Sequence, residues 1–283
     1  MKVIKQIIDG RKIAEKIKDE ITAEIFENGG ESRPSLAIIL VGDRPDSKLY
    51  VSLKEREAIK VSIDTHIYRL EEESSEAELL TVIDFLNKDE SVDAILLQLP
   101  LPISFDTDKM IAAISPYKDA DGFHPYHPEY VLSPVIAAVD YIAKQKKITG
   151  RACVFHRSAV FGESFKSHLE KLGLQVDLLP VKEDESPLTD NALRDRLTAV
   201  SKKADLIVTA LGLPLFLNED YVREGAVIVD IGINTDHGHV HGDVDFDSAA
   251  NNAAAITPVP GGIGPMTIAF LFKNVVEIYR RRQ

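Results

Sequence analysis

The sequence has 283 residues, 33 Lys and Arg against 45 Asp and Glu, and a formal net charge of −12, which is enough chain to bury the cores of two compact domains. Its acidic residues are spread along the chain, which excludes nucleic acid as a partner and points to a soluble protein. Nowhere does the sequence offer the roughly 18 uninterrupted apolar residues of a membrane span, and the opening MKVIKQIIDGRKIAEKI interleaves charges with its apolar residues.

These properties predict a cytoplasmic protein. The single cysteine, Cys153, cannot form an internal disulfide and lies in an apolar run, so it reads as a small core residue. GRKIAEKIKDEITAEIF, residues 10–26, spaces Ile13, Ile17, Ile21 and Ile25 as a helix with one buried stripe would. SLAIILVG (35–42) opens a series of short, β-branched-rich runs that continues with THIYRL (65–70), DAILLQLP (93–100), ACVFH (152–156), QVDLLPV (175–181), ADLIVTALG (204–212) and AVIVDIGIN (226–234). They are mostly unbroken, as parallel strands covered on both faces should be. Helical segments fall between them, so the chain predicts right-handed βαβ units and an α/β fold. The stretch 115–134, SPYKDADGFHPYHPEYVLSP, separates two strand series and reads as the boundary between domains. A Gly/Pro loop then feeds a last apolar-striped helix ending in Arg280, Arg281 and Arg282, cations suited to a helix C-terminus.

Several stretches carry residue types fit for chemistry. YVSLKERE sets Tyr50 and Lys54 four apart, on one face of a helix, where their tips can converge on one small molecule. A desolvated lysine can move a proton near neutrality, although a solvated face explains the spacing equally well. Gln98 ends an apolar strand, where open α/β sheets gather ligand contacts. Asp119 and Asp121 flank Ala120 before Gly122; a carboxylate there can recognise a ring bearing an amine and an amide, and a plain Asx-turn also accounts for it. CVFHRSAVFGES, 153–164, reads as a strand, a tight turn and a helix start, the place where α/β proteins hold a dinucleotide pyrophosphate, but with His156 where glycine is wanted. DHGHVHGDVDF alternates His237, His239 and His241; without an obvious fourth ligand it reads as an exposed polar hairpin, and no metal site is expected. TPVPGGIGPMT fixes a rigid loop that lets backbone approach a ligand.

Together, IIDGRKIAEKI, YVSLK, ILLQLPLP, KDADGFHP, ADLIVTALGLP, GAVIVDIGIN, GDVDF and ITPVPGGIGPMT resemble, in order and spacing and over nearly the whole chain, the bifunctional methylenetetrahydrofolate dehydrogenase/methenyltetrahydrofolate cyclohydrolase family. The resemblance implies an α/β folate domain (1–122) that takes back the C-terminal helix (266–283), a Rossmann-type NAD(P) domain (123–265), and a homodimer. It implies that Lys54 is the general acid/base, that Tyr50 packs against the folate, that Gln98 tunes Lys54 and that Asp121 holds the pterin. Leu99, Pro100 and the loop Pro260, Gly261, Gly262, Ile263 and Gly264 would complete the substrate site. His156, Arg157, Ser158, Gly162, Gly212, Ile233 and Asn234 would line the cofactor site, with NADP the expected cofactor and NAD the alternative.

The departures cluster in the nucleotide half. The family's Gly-Arg-Ser turn is His156-Arg157-Ser158, Ile136 stands in a glycine's place, and Pro180-Val181 replaces a His-Ser whose hydroxyl would help hold a 2′-phosphate. A bulky imidazole in place of the glycine is expected to crowd both the bend and the approach of pyrophosphate, and a positive charge on it is the compensating hypothesis. Two further readings stay open: a cyclohydrolase that has lost hydride transfer, and a non-catalytic folate-binding protein. The Tyr-x-x-x-Lys pair of short-chain dehydrogenases is excluded by order, because here it precedes the only candidate turn.

Overall fold

A computed structural model describes residues 6–27, 33–182, 184–236 and 239–282. In chain order the elements are β1 (Gln6–Ile7), α1 (Gly10–Glu27), β2 (Ser35–Val41), α2 (Pro45–Lys60), β3 (Asp64–Leu70), α3 (Glu76–Lys88), β4 (Ala94–Leu97), α4 (Thr107–Ala113) and α5 (Pro134–Gln145). There follow β5 (Arg151–His156), α6 (Ala159–Lys171), β6 (Gln175–Pro180), α7 (Asn191–Ser201), β7 (Leu206–Ala210), β8 (Val227–Asp230), β9 (Asn234–Asp236), β10 (His239–His241), α8 (Phe246–Ala249), β11 (Ala255–Ile256) and α9 (Ile263–Arg282). The chain is an α/β protein, as its alternating pattern predicts, and it divides into two compact units.

One unit comprises Ala14–Pro134 and Thr267–Gln283. Its described strands form a parallel sheet in the order β3-β2-β4. β2 is central and wholly buried, which its unbroken apolar sequence anticipates, whereas β3 lies at an edge and is partly exposed. Ala37, Ile39 and Val41 of β2, Ile95 and Leu97 of β4, and Leu79, Ile83 and Leu86 of α3 meet in one core. α3 starts at a capping box between Ser75 and Glu78. The stripe of α1 is buried at Ile17, Ile21 and Ile25. Asn274 of α9 donates Nδ2 hydrogen bonds to the carbonyls of Ala120 and Leu132 at 2.9 and 2.8 Å, so the stretch up to Pro134 is held within this unit.

The other unit comprises Met1–Ile13 and Val135–Met266. Its described strands form a parallel sheet in the order β1-β11-β8-β7-β5-β6. Cys153 is fully buried in the core beside Phe155, Ile207 and Ile228, and burial pushes its thiol far above the usual range, in keeping with a packing role. The run 226–234 does not continue as one strand: β8 stops at Asp230, whose Oδ1 accepts the backbone N–H of Gly232 and turns the chain out of the ladder. β9 and β10 pair antiparallel in a hairpin that starts two residues before the stretch 236–246 in which one is expected, and His237 lies outside the described residues. β1 and β11 are two-residue strands, too short for a periodicity to announce them.

Candidate active site

In the unit of the three-stranded sheet, α2 enters through Pro45, at a position whose N–H would be unused in any helix, and buries Ser47, Val51 and Ala58. That stripe leaves Tyr50 and Lys54 half-buried together. Lys54 Nζ donates to Gln98 Oε1 at 2.8 Å. Gln98 follows β4; its backbone N–H extends the ladder to the carbonyl of Ile39 at 2.9 Å, and its Nε2 donates to the carbonyl of Leu99 at 2.6 Å. The second bond fixes the amide so that its oxygen faces Lys54. Leu99 and Pro100 follow directly, joined by a cis peptide bond.

Asp121 is placed by its neighbours. Ala120 N–H donates to Ile95 O at 3.0 Å, docking the segment against β4. Asp119 then accepts the backbone N–H of Asp121 at 3.1 Å through Oδ1 and that of His124 at 2.7 Å through Oδ2. The Asx-turn reading therefore describes Asp119, and its consequence is to orient Asp121. Burial lowers the proton affinity of Lys54, with the charge of Asp121 working against it. The Asp121 carboxyl is pushed up to about 6, chiefly by burial; Lys54 opposes the rise and Asp119 adds to it. The outcome is a lysine able to lose its proton below the ordinary lysine range, beside a carboxyl that titrates near neutrality. Burial also raises the Tyr50 phenol.

The remaining sequence-predicted residues belong to the other unit. In the Gly/Pro loop Gly261 O accepts the backbone N–H of Gly10 at 3.0 Å, and the carbonyl of Gly262 stands where a Cβ on Gly10 would be, which accounts for the glycine of IIDGRK. Ile263 and Gly264 are not loop residues: α9 begins at Ile263, and Pro265 sits in its first turn, where no backbone N–H is required. The final helix is thus three residues longer at its start than the expected 266.

The turn after β5 corrects the expectation for His156. The imidazole does not crowd the bend: it is buried at 4% exposure, with Nδ1 donating to the carbonyl of Ser158 at 2.9 Å, and it lies beneath the first turn of α6 against Gly162. Because Ser158 O can only accept, Nδ1 carries a proton, and the buried Nε2 has no hydrogen-bond partner among the described residues. Burial lowers the His156 pKa, so the positive charge hypothesised for it is not supported. Ser158 caps α6, its Oγ accepting the N–H of Phe161 at 3.3 Å.

The strand order reverses between β5 and β7, and the C-terminal ends of these two strands are where an open α/β sheet binds its ligand. There Arg157 donates from Nε to Leu211 O at 2.6 Å and from a terminal nitrogen to Lys182 O at 3.4 Å, so its guanidinium spans the exits of β5, β6 and β7. Gly212 has φ +66°, a conformation that favours glycine, and a Cβ there would meet only Asn234 Oδ1, at 3.9 Å, so backbone can approach a ligand closely. Ile233 is half exposed, and Asn234 Nδ2 donates to Asp243 Oδ1 at 3.2 Å. With the N-terminus of α6 free of the imidazole, these residues fit a dinucleotide. His239 and His241 have ring centroids 6.4 Å apart on β10.

Sequence reasoning missed Asn274, a polar residue in an apolar helix, and the buried pair Asp230 and Asp243, whose signal was a carboxylate at the end of an apolar run and another after a glycine.

Comparison with known proteins bears on both units. The family models for the catalytic domain and the NAD(P)-binding domain of tetrahydrofolate dehydrogenase/cyclohydrolase match residues 8–121 and 141–283. Bifunctional protein FolD of Sulfurihydrogenibium sp. (strain YO3AOP1) is 38% identical over 297 residues, 98% of each chain. The structure of the bifunctional FolD methylenetetrahydrofolate dehydrogenase/cyclohydrolase from Campylobacter jejuni has a TM-score of 0.89 at 34% identity, covering 99% of this chain and 100% of its own. That of the Trypanosoma brucei enzyme, complexed with NADP cofactor and inhibitor, has a TM-score of 0.86 at 27% identity, covering 98% and 97%.

Proposed function

This chain belongs to the tetrahydrofolate dehydrogenase/cyclohydrolase family, and from that membership we propose how its residues divide the family's work. The protein interconverts 5,10-methylenetetrahydrofolate, 5,10-methenyltetrahydrofolate and 10-formyltetrahydrofolate; NADP, when bound, accepts the hydride that turns the methylene bridge into the methenyl cation. The observation that carries the residue assignment is the Lys54 to Gln98 hydrogen bond beside Asp121.

Lys54 is the proton carrier. With its proton affinity lowered by burial, the neutral amine takes a proton from a water attacking the methenyl carbon; the ammonium then gives that proton to the ring nitrogen that leaves, and the hydroxyl proton of the adduct passes to solvent as the bridge opens to the formyl product. Gln98 holds Nζ in line for both transfers. Tyr50 lies one turn earlier on the same face of α2, suited to pack on the folate ring. The Asp121 carboxylate accepts N–H groups of the pterin, and its charge restrains the fall in Lys54 proton affinity. Leu99 and Pro100, which follow Gln98 directly, extend the substrate site within this unit.

Arg157, Ser158, Gly162, Gly212, Ile233 and Asn234 hold the dinucleotide. Arg157 supplies the cation for a 2′-phosphate, and β6 ends at Pro180, followed by Val181 and Lys182 rather than by the carboxylate that favours an unphosphorylated ribose. His156 supports this turn from below. The three-stranded unit is the folate domain and the six-stranded unit the nucleotide domain. We include in the proposal a homodimer, supported by the open edge of β6, and a cytoplasmic site of action, supported by a lone cysteine buried in the core.

The test is a pair of assays on one purified sample: methylenetetrahydrofolate oxidation with NADP and with NAD, and methenyltetrahydrofolate hydrolysis with neither. Both reactions run in the wild type, and Lys54→Met reduces hydrolysis by roughly 10² to 10⁴. Hydrolysis at the wild-type rate in Lys54→Met would refute the assignment of Lys54.

A further inference from the structure

Two carboxylates, Asp243 and Asp230, lie in the interior of the six-stranded unit at 0% and 2% exposure, with no cation bonded to either among the described residues. Four donors converge on Asp243. Its Oδ2 accepts the Thr209 hydroxyl at 2.9 Å and the backbone N–H of Leu211 at 2.6 Å; its Oδ1 accepts the N–H of Leu213 at 2.9 Å and Asn234 Nδ2 at 3.2 Å. Asp230 stands behind it, with Oδ1 accepting the N–H groups of Gly232 at 2.9 Å and Asp243 at 3.1 Å, and Oδ2 that of Val244 at 2.9 Å.

The chain is arranged to admit both groups. A Cβ on Gly232 would overlap the Asp243 carboxylate, and one on Gly242 would overlap that of Asp230. The glycines of the GIN and GDVDF motifs thus make room for the two acids. The segments so tied are the exit of β7, with Gly212 between two residues whose N–H groups both end on Asp243, and the segment after β8 that carries Ile233 and Asn234. Burying a carboxylate is costly unless its hydrogen-bonding capacity is met, and here it is met by the loops themselves.

We propose that Asp243, backed by Asp230, is a positioning residue for the dinucleotide site: its carboxylate sets the 211–213 and 232–234 segments in the conformation that receives NADP. This rests on the reading of those segments as the cofactor site. Neither acid needs to touch the nucleotide; each acts through backbone that does. Binding depends on that preorganisation, because a loop that must be ordered on binding weakens affinity without a lost contact.

The experiment titrates NADPH into the purified full-length protein and follows nucleotide fluorescence, alongside oxidation kinetics and thermal unfolding. Asp243→Asn keeps the shape but turns one acceptor into a donor facing the loop N–H groups. The dissociation constant and KM for NADP should rise roughly tenfold or more, with kcat at saturating NADP changed far less. Thr209→Val, which removes one donor and little volume, should raise both about threefold. If Asp243→Asn fails to fold, Thr209→Val decides. Wild-type nucleotide affinity in a folded Asp243→Asn, or in Thr209→Val, would overturn the proposal. A wild-type chain that binds no NADPH would refute the cofactor-site reading itself, an outcome separable from the other.

Discussion

The imidazole of His156 lies against Gly162 so closely that a methyl group on Gly162 would come within 2.6 Å of Nε2 and 2.7 Å of the neighbouring ring carbons. The ring is buried and held through Nδ1 by Ser158, so it cannot swing aside cheaply. Gly162→Ala should therefore destabilise the nucleotide unit by roughly 1–3 kcal/mol, as overpacked cores do. Trimming the partner, in Gly162→Ala/His156→Ala, should restore part of that loss, because the new methyl occupies space the ring vacates. Thermal unfolding of the four members of the cycle measures the coupling, and additive effects of the two substitutions would show that the contact is not felt.

Methenyltetrahydrofolate hydrolysis should gain rate with rising pH along an ionisation below the usual lysine range, since burial favours the neutral amine of Lys54. Above about 6 Asp121 is charged and holds that ionisation up. Asp121→Asn should shift the inflection to lower pH while raising KM for the folate. Lys54→Arg cannot supply a neutral base and should lose activity by roughly 10² or more at every pH. An inflection unmoved by Asp121→Asn would break the link between the two groups.

Asn274 ties α9 to the segment bearing Asp121 through the carbonyls of Ala120 and Leu132. Asn274→Leu leaves both carbonyls without that partner and should cost roughly 1–3 kcal/mol of stability. The folate KM should rise severalfold, with the NADP dissociation constant unmoved. A normal folate KM would show that the segment holds its position without α9.

Asp230 is pushed up to about 7, by burial first and then by Asp243, the charged group that faces it among the described residues; Thr257 contributes a hydroxyl nearby that accepts the Asp230 backbone N–H. A carboxyl whose pKa is higher folded than unfolded contributes stability at pH below about 4 and loses it as pH rises through about 7. Asp230→Asn has no such dependence. Relative to the wild type it should gain stability between pH 4 and 8 by on the order of 4 kcal/mol. Melting temperatures of both proteins across that range give the difference, and parallel curves would mean that Asp230 is ionised throughout.

Much of this molecule is legible in the order of its residues. Unbroken apolar runs such as AILL and LIVTA can only be strands covered on both faces, and Ile17, Ile21 and Ile25 can only line one side of a helix, because period and burial follow from local geometry. Tyr50 and Lys54 share a face for the same reason. Three things lay beyond that reach, and each depends on residues far apart in sequence. His156 reads as an obstacle in a glycine turn, but whether it blocks or supports the turn depends on which way the ring points, which Ser158 and Gly162 decide. Gln98 and Lys54 are 44 residues apart, and only sheet register and the exit from β4 bring the amide oxygen to the amine. Asp230 and Asp243 carry no mark of burial in the sequence, and their burial is set by the packing of β7 and β8 around them. The sequence determined by itself which elements form and which faces they bury, since those depend on neighbours along the chain; the proton affinities and the placing of the loops belonged to the tertiary structure, since desolvation and long-range hydrogen bonds exist only once the chain has closed on itself.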